Sequence, residues 1–114
     1  MQTRDQKFAM ASYTVLEKRI REKKVDLKEY KSFAKRFPTL IHTCGLMQAL
    51  AFAQTKNEAV LDDFVEILKG DQANPEGFIN QCRDSKIASY MQMSREAMFA
   101  AGWLKRQADA LILD

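Results

Sequence analysis

Apolar residues recur along this chain at steps of three and four, the period of an α-helix. The first stripe is Ala9, Tyr13, Leu16 and Ile20. Ahead of it, Thr3-Arg4-Asp5-Gln6 has the form of a capping box, in which the Thr3 hydroxyl and the Gln6 amide satisfy free backbone amides. Together they predict a helix that ends near Lys24. Asp26-Leu27-Lys28-Glu29 opens a second helix, whose apolar face is Tyr30, Phe33, Ala34 and Phe37.

Pro38 has no amide hydrogen and disfavours helical dihedrals at Phe37, which predicts a kink or short break there. Helix resumes over Thr39 to Cys44, and Gly45 is a second weak point. Leu46 to Gln54 forms an apolar segment. Asn57 caps a helix over Glu58 to Lys69, followed by a turn at Gly70 to Ala73. Asn74-Pro75 places a cap before a proline at the first helical position and predicts a short helix to about Arg83. Ser85 is the expected cap of a last helix reaching about Leu113, with a break near Met93 if Ser94 caps a restart. Nothing alternates as a strand would. The pattern therefore predicts an all-α fold: a single helical bundle of about five to six helices over residues 1–114, kinked near Pro38 and Gly45.

Composition narrows the class. In 114 residues, 46% hydrophobic content supports a core and disfavours disorder, and no run of about 18 apolar residues predicts a membrane span. The polar opening, Met1 to Lys7, does not read as a secretory signal. Two cysteines, Cys44 and Cys82, are too few for a disulfide framework. The expected place is the cytoplasm.

Charge is unevenly placed. Residues 1–37 hold 11 Lys and Arg against 5 Asp and Glu, whereas residues 38–82 hold 2 against 6. A basic end suits a phosphate backbone, and a basic end with an acidic middle suits head-to-tail stacking of copies. Within the basic end, Lys24, Lys28, Lys31 and Lys35 step by four, three and four, so they share one helix face. That face lies opposite Phe33 and Phe37 and is expected in solvent. Arg4, Lys7, Lys18 and Arg21 fall on one side of the first helix.

On the last helix, Tyr90, Ala97, Ala101, Leu104, Ala108 and Leu111 define the core side. Phe99 and Trp103 stand opposite and need a second partner. Three arrangements meet that need: a central helix buried on both sides, a subunit contact, or stacking with nucleobases.

Enzymatic chemistry finds little support. One histidine, His42, and two distant cysteines do not make a zinc site, and no glycine-rich loop cradles a phosphate. His42 and Cys44 are two apart on a helix and point to different sides, so a core or boundary histidine is the expectation. Asp62, Asp63 and Glu66 have the chemistry for magnesium, but acids on an exposed helix face are usually just solvated. No catalytic residue, metal or cofactor is assigned.

The ordered residues Tyr30, Ala34, Arg36, Pro38, Gly45-Leu46-x-Gln48-Ala49-Leu50-Ala51-Phe52, Tyr90, Arg95-Glu96, Trp103-Leu104-Lys105-Arg106 and Ala108 resemble a known family. It is the small, all-helical subunit of the Cmr-type (type III-B) CRISPR RNA-guided effector complex. The resemblance covers about residues 3 to 110, and the Thr39-to-Cys44 stretch departs from it. It implies a non-catalytic protein whose copies stack head to tail beside backbone subunits that hold the guide RNA. The copies would contact target RNA through its backbone, while pairing with the guide supplies sequence specificity. The implied partners are guide RNA, target RNA, the backbone and large subunits and further copies of the chain, with no membrane.

For RNA contact the expected residues are Lys31, Lys35, Arg36, Arg95, Lys105 and Arg106. Lys31 and Lys35 come from the helix-face argument, and the other four from the resemblance. Phe99 and Trp103 are the expected subunit contact. The alternatives are the small subunit of the sister Csm-type (type III-A) complex and a free-standing helical regulator of duplex DNA.

Overall fold

The structure, a computed structural model, describes residues 3–70 and 74–113. They form six helices: α1 (Arg4–Glu22), α2 (Leu27–Cys44), α3 (Leu46–Lys56), α4 (Glu58–Lys69), α5 (Pro75–Asp84) and α6 (Ile87–Leu111). No strand occurs among the described residues.

The expected caps form in four of the six helices. Gln6 donates its backbone N–H to Thr3 Oγ1 at 3.1 Å, and Thr3 returns its own to Gln6 Oε1 at 2.8 Å. Asp26 Oδ1 accepts from Lys28 and Glu29 at 3.0 and 3.2 Å. Asn57 and Asn74 cap α4 and α5 through Val60 and Gly77. The expected Ser85 cap of α6 does not form. Ser85 Oγ instead donates to the Cys82 carbonyl at 2.9 Å and closes α5, and α6 starts at Ile87 without a side-chain cap.

No break interrupts the helix at Pro38 or at Met93. Helix α2 runs through Pro38 to Cys44, although proline removes the donor that the Ala34 carbonyl would receive. Phe37 and Ile41 are both buried beside it, and that packing outweighs one backbone hydrogen bond. Helix α6 runs unbroken past Met93, which is itself in the core. The real break is Gly45, at φ 89° and ψ 159°, a conformation open essentially to glycine. Because glycine brings no capping side chain, Tyr90 of α6 supplies one: the Met47 N–H donates to its hydroxyl at 3.0 Å. The turn expected at Gly70 to Ala73 lies, beyond Gly70, outside the described residues.

Helix α6 is central and packs on α1, α2 and α4. Its buried line Ala97, Ala100, Ala101, Leu104 and Ala108 is mostly alanine, so bulky neighbours approach closely. An aromatic series runs through the other helices. Phe52, Phe33, Phe37, Phe64 and Phe78 follow one another at centroid distances of 5.9, 5.9, 4.9 and 6.4 Å, joining α3, α2, α4 and α5.

One polar cluster crosses this core. Asp63 on α4 is buried, contrary to the expectation of a solvated acid. It accepts two bonds from Arg19 of α1, Nε to Oδ2 at 2.9 Å and Nη2 to Oδ1 at 3.2 Å. The Tyr30 hydroxyl of α2 donates to the same Oδ2 at 2.5 Å. Burial, then the Asp63 charge, pushes the Tyr30 phenol well above its ordinary range. The bond to Asp63 raises Arg19 further, so its guanidinium stays charged. Every buried side-chain polar atom among the described residues has a partner.

Removing one member isolates the others, so Asp63→Ala is expected to cost about 3–5 kcal/mol in urea unfolding. The raised Tyr30 pKa also fixes a sign. Its contribution to stability is complete below about pH 10, where the unfolded phenol ionises, and is lost as pH rises towards the folded value. Unfolding midpoints measured from pH 8 to 12 should fall at the alkaline end, and Tyr30→Phe should flatten part of that fall.

Candidate nucleic-acid interface

The basic row of α2 divides once the helices pack. Lys24, Lys28 and Lys35 are exposed. Lys31 is not free in solvent as expected: its side chain is only 13% exposed, and its Nζ donates to the Ile112 carbonyl at 2.9 Å. A cation at the end of α6 meets the partial negative charge of the last carbonyls. Asp109, on the last turns of α6, lies 4.0 Å from Lys31 Nζ and 3.4 Å from Lys35 Nζ. Lys31 therefore fastens α2 to the end of α6.

Around that fastening the surface is concave and cationic. Lys28, Lys31, Ser32, Lys35 and Arg36 line a shallow depression of about 360 Å³. A second depression of about 300 Å³ adjoins it, lined by Glu29, Ser32, Phe33, Arg36, Lys56 and Asn57. Ser32 and Arg36 border both. The Arg36 guanidinium sits 5.4 Å from the Phe33 ring centroid, a cation–π contact that limits where its charge points. Lys105 is exposed and stands one turn before Asp109, which puts it on the side of α6 that meets Lys35.

Arg95 and Arg106 lie further round α6, towards its aromatic pair. At 100° per residue, Arg95, Phe99, Trp103 and Arg106 fall within about 80° of one another. Arg95 Nη2 donates to Gln92 Oε1 at 2.6 Å. Arg106 lies 5.0 Å from the Trp103 ring, and Arg4 of α1 lies 4.1 Å from the Phe99 ring. Trp103 is half-buried against the core, whereas Phe99 remains 46% exposed. Of the six expected RNA-contact residues, Lys31, Lys35 and Arg36 border one depression, Lys105 and Arg106 stand one turn before Asp109 on α6, and Arg106 leans over Trp103.

Sequence reasoning missed Lys56 and Asn57. They lie about 20 residues beyond Arg36 and reach it only because the chain folds back at Gly45. His42, expected at a core boundary, is exposed near the end of α2, as is Cys44. Cys82 is buried, and that burial pushes its thiol up. No group of His, Cys, Asp and Glu among the described residues is arranged to hold a metal ion. No described helix is long and apolar enough to cross a membrane.

The chain as a whole has similar relatives. Residues 4–111 match the family model described as CRISPR-associated protein (Cas_Cmr5). The chain is 31% identical over 118 residues to the CRISPR system Cmr subunit Cmr5 of Thermus thermophilus, a comparison covering 98% of each. It is also similar to the crystal structure of a CRISPR-associated Cmr5 family protein from the same organism. There the identity is 30%, the TM-score is 0.88, and 99% of this chain and 100% of that one are covered.

The two cations beside Asp109 should differ in weight. Lys31→Met, which keeps the apolar stem but gives up the bond to α6, is expected to cost about 1–2 kcal/mol. Lys35→Met removes a half-exposed pair and should cost no more than about 0.5 kcal/mol in the same urea titration.

Proposed function

The chain belongs to the CRISPR-associated Cmr5 family, which makes it a subunit of a type III-B Cmr complex, and from that premise we propose that it is a non-catalytic scaffold that holds RNA by its phosphates. The observation that carries the reading is the cationic depression on α2, where Lys28, Lys35 and Arg36 converge on one concave surface. Lysine ammonium groups are mobile point charges and suit phosphates of any sequence. Lys105 extends the same surface, and Arg95 and Arg106 add cations further round α6. Lys31 is better understood as the residue that holds the α2–α6 junction in shape.

The rest of the reading concerns assembly. Copies stack head to tail, the basic residues 1–37 of one facing the acidic residues 38–82 of the next. Phe99 and Trp103, each carrying an arginine, form part of the contact with a neighbouring subunit. Aromatic and arginine side chains are the types that dominate such contacts. Guide RNA, target RNA and the backbone and large subunits are the remaining partners, in the cytoplasm of a prokaryote. The family match favours this assembly over the sister Csm-type complex and over a free-standing DNA-binding regulator.

Affinity purification of the tagged chain from its native cells should recover guide RNA together with the backbone and large subunits. Recovery of the chain alone, or with DNA, would overturn the proposal. On the purified chain, Arg36→Glu with Arg106→Glu should weaken binding to single-stranded RNA at least about tenfold at low salt, with the helical circular dichroism unchanged. The slope of log affinity against log salt should become shallower by about 0.7 for each phosphate that is no longer neutralised.

A further inference from the structure

The geometry points to Asp109 as an internal competitor of RNA: its carboxylate takes up the Lys35 ammonium that a phosphate would use, and so lowers the affinity of each single copy. This rests on the RNA-binding reading above and adds to it a residue that opposes binding.

The residues that line the cationic depression are Lys28, Lys31, Ser32, Lys35 and Arg36, with no acid among them. The acid that meets these cations comes from α6. Asp109 Oδ1 stands 3.4 Å from Lys35 Nζ and 4.0 Å from Lys31 Nζ. One carboxylate oxygen is thus shared by two ammonium groups that lie one helical turn apart on α2. An anionic phosphate oxygen shared by the same two lysines would take that place. Carboxylate and phosphate cannot hold it together.

The two lysines differ in what they can give up. The Lys31 side chain is 13% exposed and its ammonium donates to the Ile112 carbonyl, so it stays with α6. The Lys35 side chain is 47% exposed, and its ammonium rides on a flexible four-carbon stem. The Asp109 side chain is 58% exposed, so water and salt weaken its hold on Lys35. A phosphate can therefore draw the Lys35 ammonium away. Asp109 then stands without that partner beside an anionic strand. The lost pair and the new repulsion both oppose binding. A lone copy consequently holds RNA weakly, whereas copies joined along one strand offset the opposition by binding together.

The test uses the full chain and a single-stranded oligouridylate, with anisotropy read at low salt. Asp109→Asn should tighten binding at least about threefold, with the melting temperature unchanged. The control for net charge is Glu76→Gln, an exposed acid on α5, which packs on α3 and α4; it should tighten binding far less. In a Lys35→Met background, Asp109→Asn should lose most of its gain, because the ammonium in dispute is gone. As a readout independent of substitution, the carboxyl carbon resonance of Asp109 should move when the wild type is titrated with oligouridylate, and that of Glu76 should not. An Asp109→Asn gain no larger than that of Glu76→Gln, a gain that survives Lys35→Met in full, or an unmoved Asp109 resonance overturns the inference and leaves phosphate binding intact. Failure of both the wild type and Asp109→Asn to bind the strand overturns the RNA-binding reading itself.

Discussion

The bundle depends on one carboxylate. Asp63 is buried and holds Arg19 of α1 and Tyr30 of α2 against α4. Apolar packing alone tolerates small slides of helix on helix, because dispersion contacts are many, weak and non-directional. A bidentate guanidinium and a short phenol bond tolerate far less, since each loses its energy with angle as well as distance. The cluster thus sets the relative register of three helices. With that register set, the basic side of α2 comes to rest beside the end of α6.

Helix α6 converts this register into a surface. Its alanine line lets α1, α2 and α4 pack closely around it, and Lys31 anchors its last turn to α2. The cationic depression is consequently framed by two helices rather than carried on one. The same central helix carries Arg106 over Trp103 and Asp109 beside Lys35.

Several sequence expectations failed for identifiable reasons. Of the kink or short break expected at Pro38, no break forms, because Phe37 and Ile41 are buried on either side of it. Ser85 is a good capping residue, yet its hydroxyl serves the end of α5 instead of the start of α6. His42, placed at a core boundary, is exposed. Lys31 shares its helix face with Lys28 and Lys35 and differs from them only in what α6 brings to meet it. Apart from His42, each is a local preference overruled by packing or by a competing hydrogen bond.

Much was legible without any structure. The three-and-four spacing of apolar residues, the capping residues at Thr3, Asp26, Asn57 and Asn74, and the glycine at 45 determined a bundle of about five to six helices and where four of them start. These signals act within a few residues, through backbone hydrogen bonds and steric limits, so the order of residues carries them in full. The resemblance in Gly45 to Phe52 and Trp103 to Arg106 pointed to the family. What only the tertiary structure decided was which charges are free. Nothing adjacent to Asp63 or Lys31 announces Arg19 or the Ile112 carbonyl. Those partners are far apart in the chain and meet only through packing, and the strength of a charge depends on what surrounds it in space.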